Sequence, residues 1–334
     1  MVSYKYAALF VFNSDVSVVH DSAICDSGYE LQIFASERNK QTVCHGTNKK
    51  RLVPFLFGLI TLVPVMTYIA EIFFNGYTGT YIEQLGLFFT KETDLTGYHG
   101  GFTPAHLWFL LYLFVISLIA LFIVWLQKKY FSKRKTDRLP QVSQFKTFIF
   151  NLFLLLMFLP EWLCLYILNI GGKSLGQFLF LFLSGYYIFS KESNLQKISQ
   201  YRFVNLILCI LSGSLYVYLY CVENLRGIWM DGLYVFYGWT GIMTLLGVGQ
   251  STLNFYNRIS GYLSRASFPV YILHMPILVV TGFFVLKLSM GVAGQFLLII
   301  LISAIVTFLA YEIVKRVSFL RFLFGIEKSK RQLS

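Results

Sequence analysis

The chain has 334 residues, of which 56% are hydrophobic and only 13% are charged, and its formal net charge is +12. A soluble domain carries roughly 25% charged residues, so this composition excludes an ordinary soluble protein and indicates a membrane protein. A strong positive charge would suggest a nucleic-acid partner in a soluble protein. Here the lysines and arginines lie in the loops between apolar stretches, so we expect a lipid bilayer and no nucleic acid as partner.

Residues 1–48 show no recognisable pattern. They contain no apolar stretch of spanning length and no signal-peptide cleavage pattern. Two interpretations are open, a disordered or interfacial tail and a remnant of N-terminal spans that are missing. The sequence therefore predicts three parts, namely this segment, a transmembrane domain over residues 49–316 and a basic cytoplasmic tail over residues 317–334.

Eight apolar stretches follow the N-terminal segment, and a helix of about 20 apolar residues crosses the ~30 Å hydrocarbon layer. The predicted spans are residues 52–74, 106–126, 147–170, 175–190, 203–222, 232–250, 267–289 and 295–314. Lysines and arginines cluster in alternate loops, and the positive-inside rule then places both ends of the domain in the cytoplasm. The fold class predicted is an all-α, polytopic membrane helical bundle of about eight transmembrane helices.

The first span and the loop after it carry two features. Pro54 and Pro64 predict kinks, which membrane helices tolerate because neighbours satisfy the freed backbone groups. Residues 75–105 form the only long outer loop predicted and are rich in Gly, Tyr and Thr. This composition suits an ordinary interfacial loop, and it also suits a surface that binds a sugar.

Ionisable side chains inside a bilayer are costly, and His274 is the most informative of them here. It lies between Pro269 and Pro276 in the seventh predicted span, so we expect an irregular helix that lines protein or water. A neutral imidazole at this position could accept a proton from a hydroxyl. The alternative is a structural histidine bonded to a carbonyl of a neighbouring helix.

Three further residues of this kind are ambiguous. His106 opens the second predicted span beside Trp108, and the pair fits an interfacial aromatic belt as well as a site. Glu161 in the third span is either a proton relay or a partner in a helix–helix hydrogen bond. Glu312 precedes two basic residues by one turn, which predicts an ion pair.

Several signatures are absent from the sequence. It contains no P-loop, no GxSxG turn and no HExxH motif, which argues against ATPases, serine hydrolases and zinc proteases. The five cysteines have no metal-ligand spacing and predict neither a metal site nor a disulfide framework.

Five stretches together resemble motifs of the type-3 acyltransferase membrane family, and they occur in the same order and spacing across residues 50–326. They are KRLVPFLFG at 50–58, HLWFL at 106–110, LSGY at 183–186, YILHMP at 271–276, and the closing pair YE at 311–312 and LRFLFG at 320–325. The last pair is similar to that of glucan-modifying members.

The resemblance implies a membrane enzyme that moves an acyl group, acetyl or succinyl, onto a carbohydrate or related hydroxyl. It implies cytoplasmic acyl-coenzyme A as the donor, no metal, and O-acetylation of a polysaccharide. The implied location is the cell membrane, as a multi-pass protein of a bacterial cytoplasmic membrane. Family members have a catalytic histidine in their first span with an arginine before it. No arginine precedes His20 here, so we expect that the first one or two spans are missing.

The candidate residues follow from these arguments. Catalytic candidates are His274, His106 and Glu161, and substrate-binding candidates are Trp108 and Tyr271 at the cavity and Arg258 and Arg265 at the donor phosphates. In the leading hypothesis a buried histidine deprotonates the acceptor hydroxyl, which attacks the acyl thioester. A transporter or lipid flippase and an inactive remnant are the alternatives, since broken helices with buried polar groups also occur in transporters. An acyl group found covalently on a product distinguishes the enzyme from both.

Overall fold

The computed structural model of the chain describes residues 40–91, 101–131, 144–170, 172–253 and 257–326. Within these ranges the chain is almost entirely helical, and the one β-structure is a short antiparallel hairpin of Asn169–Ile170 with Lys173–Ser174. The predicted all-α fold is confirmed. Residues 1–39, including His20, lie outside the described part, and residues 40–48 of the predicted N-terminal segment are helical.

The α-helices of the described ranges are numbered here in chain order. They are α1 (Lys40–Asn75), α2 (Tyr81–Thr90), α3 (Trp108–Phe131), α4 (Gln144–Leu156), α5 (Phe158–Cys164), α6 (Leu175–Ser184), α7 (Glu192–Gln200), α8 (Arg202–Cys221), α9 (Ile228–Val248), α10 (Arg258–Val285), α11 (Val292–Val314) and α12 (Ser318–Leu323). A 3₁₀ turn, Ala105–Leu107, precedes α3, and π-helical turns follow α6 (Gly185–Phe189) and α9 (Gly249–Leu253).

Seven helical segments of the described part are long and apolar enough to cross a membrane, so the chain is a multi-pass membrane protein. They are Leu52–Asn75, Ala105–Gln127, Thr147–Cys164, Arg202–Cys221, Ile228–Thr252, Arg258–Val285 and Val292–Val314. The fourth predicted span is the exception. It consists of α6 and its π-helical turn, Leu175–Phe189, which is shorter than a full span.

The contacts divide the described chain into two compact units. The middle unit contains residues 115–253, and the end unit combines residues 41–114 with residues 257–326. Helix α3 begins in the end unit and continues into the middle unit. Each unit has its own buried core.

The middle unit is organised around the pair α8 and α9, which pack side by side. Trp239 of α9 is fully buried, and its indole N–H donates a 2.7 Å hydrogen bond to the carbonyl of Leu154 in α4. The carbonyl lies in the last turn of α4, which ends at Leu156, and it also accepts the N–H of Met157 at 3.0 Å. A tryptophan N–H that is buried in this way needs such a partner.

The end unit has a continuous apolar core to which its helices α1, α2, α3, α10 and α11 and the segment after α12 contribute. The core residues are Phe55, Val63, Phe88, Leu107, Leu110, Ile272, Leu273, Val314 and Phe324. Gly58 permits the closest approach within it, because a Cβ at this position would lie 2.6 Å from Cδ1 of Leu107. The glycine of the KRLVPFLFG motif therefore has a packing reason.

Helix α10 begins nine residues before the predicted span at residue 267. Its start is a capping box, in which the Ser260 N–H donates to Oδ1 of Asn257 at 2.7 Å and the Asn257 N–H donates to Oγ of Ser260 at 2.9 Å. His274 therefore lies sixteen residues beyond Arg258, about 24 Å along the helix at ~1.5 Å per residue.

Candidate functional site

The site is built on a backbone carbonyl that Pro276 leaves without its helical partner. In an α-helix the carbonyl of residue 272 accepts from the N–H of residue 276, but proline has no N–H. Nε2 of His106 lies 3.1 Å from the Ile272 carbonyl oxygen and occupies that place. Because a carbonyl only accepts, the bond puts the His106 proton on Nε2. A residue at the start of α3 thus completes the hydrogen bonding of α10.

Tyr271 makes a second connection in the opposite direction. Its hydroxyl donates a hydrogen bond to the backbone carbonyl of His106. The ring of Tyr271 also lies edge-on to that of His106, with centroids 5.8 Å apart, and edge-on to that of Phe109 at the same separation. The two helices are therefore joined by reciprocal polar bonds at one level, within the apolar core of the end unit.

His274 lies beside this junction and differs from His106 in how its ring is held. Its Nδ1 lies 2.6 Å from the carbonyl oxygen of Tyr271, one turn earlier in the same helix. The neutral ring must then carry its proton on Nδ1, which leaves the lone pair on Nε2. His274 is only half-buried, and its ring is T-shaped to that of His106 with centroids 5.7 Å apart. This arrangement presents a neutral imidazole whose Nε2 can accept a proton.

The segment before His106 is strained. Ala105 has φ of 44°, in the left-handed region that costs a non-glycine residue about 1–2 kcal/mol. Its N–H donates to Oγ1 of buried Thr103 at 3.0 Å, which holds the turn. Strain of this kind persists only where the surrounding structure fixes it, and it is common at functional sites.

His106 is the second residue of the apolar segment Ala105–Gln127, so it lies at the start of the second span, as predicted. The next residue, Leu107, packs on Gly58, seventeen residues before the end of α1 at Asn75. That separation is about 25 Å along the helix at ~1.5 Å per residue. The 101–107 segment therefore carries His106 well below the end of α1.

Trp108 and the two arginines complete the predicted binding residues of the end unit. Trp108 is half-buried and contacts the rings of Phe109 and Tyr112 in its own helix, with centroids 6.1 Å and 5.2 Å away. Arg258 and Arg265 are exposed in the first and third turns of α10. They lie on one helix face, two turns apart, and Arg265 is about 13 Å from His274 along the helix axis.

Glu161 is not part of this group, because it lies in the middle unit. It is 1% exposed, and its Oε1 accepts a 3.0 Å hydrogen bond from the side-chain amide of Gln177. The bond joins α5 to α6. Of the two roles that the sequence left open, the helix–helix hydrogen bond is the one observed, and a role as proton relay is untested.

The ion pair predicted for Glu312 is confirmed. Its carboxylate pairs with Lys315, and the second oxygen lies 3.8 Å from a guanidinium nitrogen of Arg316. The hydroxyl of Tyr262 donates to Oε1 at 2.9 Å, which links α10 to α11.

One buried ionisable residue, Glu71, was not singled out from the sequence. Glu71, which is 6% exposed, lies in the last part of α1 and pairs with Lys91 at 2.9 Å; the side-chain amide of Asn75 also donates to it. The usable signal was a single acid inside an otherwise apolar span, which is rarely idle. Its partner is twenty residues away, beyond a turn and a helix, and could not be identified from spacing.

Metal ligands and cysteines add nothing to the site. Across the described residues, no group of three or more His, Cys, Asp or Glu side chains is placed to hold a metal ion. Cys164, Cys209 and Cys221 are free thiols.

A family model described as an acyltransferase domain, of the type-3 acyltransferase group, matches residues 33–312, which is most of the chain. No curated protein and no solved structure matches the chain. The matched region includes His106, Tyr271 and His274 and extends through both units.

Proposed function

Because this chain belongs to the type-3 acyltransferase family, and is thus a membrane acyltransferase, we propose that it transfers acetyl or succinyl from acyl-coenzyme A to a hydroxyl group. The acceptor we propose is a carbohydrate or related compound, and the location a bacterial cytoplasmic membrane. The observation that carries the proposal is the unprotonated Nε2 of His274 beside the junction of α3 and α10.

In the proposed reaction His274 is the general base. Its Nε2 accepts the proton of the acceptor hydroxyl as the hydroxyl oxygen attacks the thioester carbonyl carbon. A C–O bond forms, the C–S bond breaks, and the coenzyme A thiolate takes the proton back from the imidazolium. No oxidant, reductant or metal is needed for this balance. The bond from Nδ1 to the Tyr271 carbonyl keeps Nε2 as the basic nitrogen throughout.

His106 and Tyr271 are positioning residues in this proposal. His106 bonds to the backbone one residue from Tyr271 and two residues from His274, and Tyr271 bonds back to His106. The reciprocal pair fixes the rotation of α10 at the level of His274. Trp108 would contact the acceptor.

The donor is proposed to lie toward the start of α10. Arg258 and Arg265 are exposed cations on one face of this helix, and guanidinium groups suit phosphates because they donate bidentate hydrogen bonds. Phosphates held there would leave the thioester to extend along α10 toward His274. The alternative role of both arginines is topogenic, by the positive-inside rule.

The test is transfer of radiolabelled acetyl from acetyl-coenzyme A to glycan in membranes that contain the chain. We expect His274→Ala to lower transfer by about 10²–10⁴-fold with normal membrane insertion, because the general base is removed. Phe284→Ala is the matched control, since this side chain is 62% exposed near the far end of the same helix and should leave transfer unchanged. Unchanged turnover in His274→Ala would remove this histidine from the mechanism, and no labelled product from the unaltered chain would refute acetyl transfer to the glycan.

A further inference from the structure

Three tyrosines of the end unit, called here the tyrosine cluster, meet where α1 ends and α2 begins. Tyr68 of α1 lies edge-on to Tyr77 and Tyr81, with centroids 6.3 Å and 5.5 Å away. All three are half-buried, so part of each ring is accessible. We propose that the tyrosine cluster is a binding subsite for a neutral oligosaccharide. This inference rests on the proposed function, since it supplies the acceptor of that reaction.

The polar groups beside Gly79 suit a ligand that carries several hydroxyl groups. A Cβ at this position would lie 2.3 Å from the hydroxyl oxygen of Tyr77 and 2.7 Å from Oε2 of Glu83. A phenol and a carboxylate oxygen therefore converge over a residue that has no side chain. Tyrosine rings with a few placed polar groups are the usual lining of a pocket for a polar ring, whose C–H faces pack on the aromatic surface.

The protonation of Tyr77 fits this role. Desolvation, followed by the charge of Glu83, raises the pKa of Tyr77 above its ordinary value. The phenol therefore keeps its proton at neutral pH and donates. The carboxylate of Glu83 accepts, so one sugar hydroxyl, which does both, can bond to each of them.

The charges around the cluster favour an uncharged ligand. The carboxylate of Glu71 is balanced by Lys91 at 2.9 Å. That of Glu83 lies at the start of α2 and accepts the backbone N–H of Thr80 at 2.8 Å, in a capping box that the helix dipole also stabilises. An organic cation, the other ligand that tyrosine faces attract, would meet the single charge of Glu83, which the capping box already engages.

The distance to His274 predicts the size of the ligand. Leu107, next to His106, packs on Gly58, and Tyr68 lies ten residues further along α1, about 15 Å at ~1.5 Å per residue. This is several times the width of one sugar ring. An oligosaccharide bound at the tyrosine cluster could therefore place a distant hydroxyl at the histidines, whereas a monosaccharide could not occupy both. Phe88 of α2 joins the same buried core as Leu107 and Ile272, which fixes the two regions relative to each other.

The test is equilibrium binding of glucose, of choline and of a linear glucose pentasaccharide to the detergent-solubilised full chain without acyl donor, by calorimetry. We expect the pentasaccharide to bind more tightly than glucose. Tyr77→Ala should weaken its binding by about tenfold, since a ring contact and a hydrogen bond are lost. Gly79→Ala, whose Cβ would force the Tyr77 phenol and the Glu83 carboxylate to shift, and Tyr77→Phe should each weaken it by about threefold to tenfold.

The matched control is Tyr218→Ala in the middle unit. Tyr218 is 51% exposed, and its hydroxyl donates to Glu223 at 2.8 Å, so the variant removes an accessible tyrosine beside an acid. Its pentasaccharide affinity should equal that of the unaltered chain.

The outcomes separate this proposal from the proposed function. Equal affinity in Tyr77→Ala and the unaltered chain, absence of pentasaccharide binding, or preference for choline would each overturn the oligosaccharide subsite. Binding that depends on Tyr77, without acyl transfer in the radiolabel assay, would support the subsite and refute the proposed acetyl transfer. Acyl transfer to a product without sugar, with no pentasaccharide binding, would support acyl transfer by the chain and refute the subsite.

Discussion

The two units use buried polar groups in different ways. In the middle unit the buried groups bond to one another across helices, as Glu161 does with Gln177 and Trp239 with the Leu154 carbonyl. In the end unit the polar groups gather at a proline, and His274 satisfies one nitrogen through its own helix and presents the other. The first arrangement fixes helices in place, whereas the second leaves a proton acceptor available for chemistry.

This difference gives a criterion for reading an intramembrane ionisable residue. Its presence alone does not indicate a function, because Glu161 and His274 are equally unusual in sequence. What separates them is the partner. A carboxylate that accepts from a neighbouring amide is engaged in packing, and a half-buried imidazole bonded through Nδ1 alone keeps its basic nitrogen.

Among the substitutions considered, replacement of Pro276 should have the largest effect on the polar junction of the end unit. Pro276→Ala supplies an N–H that competes with His106 for the Ile272 carbonyl. We expect transfer to fall by about 10²-fold, as for other ~1 Å displacements of a reacting group, while thermal stability stays equal or rises. Radiolabel transfer and a melting curve measure the two effects. Loss of both stability and transfer would indicate that the proline acts through folding instead.

A double-mutant cycle sharpens this result. His106→Ala should lower transfer by itself, and adding it to Pro276→Ala should cost little more, since both changes remove one bond. Full additivity of the two effects would show that His106 and Pro276 act independently.

Removal of Glu161 tests the middle unit. Glu161→Ala leaves the Gln177 amide without its acceptor, and we expect a loss of about 1–2 kcal/mol in unfolding free energy, with a lower melting temperature. Transfer per folded molecule should change far less than in His274→Ala. Glu161→Gln serves as the control, because it retains an acceptor oxygen. If Glu161→Ala lowered transfer as much as His274→Ala does, at normal stability, Glu161 would have a direct role in the reaction.

The smallest effect is expected at Glu312. Its ion pairs with Lys315 and Arg316 are partly exposed, with the Glu312 side chain 30% accessible, and such pairs contribute about 0–1 kcal/mol. Glu312→Gln keeps an acceptor for the Tyr262 hydroxyl and should shift the melting temperature only slightly. A large shift would mean that this end of the unit depends on charge more than the packing suggests.

Much of the fold could be read from the chain, because the apolar stretches and the alternation of basic loops are direct consequences of the bilayer. Seven of the eight predicted spans have helices of spanning length near the predicted positions. The fourth is helical over Leu175–Phe189, close to the predicted bounds, but at fifteen residues it is shorter than a full span. Helix α10 begins nine residues before the predicted span, because its capping box at Asn257 lies in the polar sequence that precedes the apolar stretch.

The candidate site was only partly predictable. His106, Trp108, Tyr271 and His274 were identified from type and position, and the structure brings them to the junction of α3 and α10. The bond that joins the junction was not predictable, because it uses a backbone carbonyl that is 166 residues from its donor. No side-chain pattern reports such an acceptor. The clue was Pro276, whose missing N–H guarantees a free carbonyl four residues earlier.

That carbonyl has a consequence for which substitutions the chain can tolerate. Ile272 contributes to the junction only through its backbone, which every amino acid possesses, and its side chain is chosen by the core alone. Other apolar residues at 272 should therefore preserve the bond, whereas the count of four residues to the proline cannot change. In the YILHMP segment, the four-residue interval between positions 272 and 276 therefore matters more than which apolar residue occupies position 272.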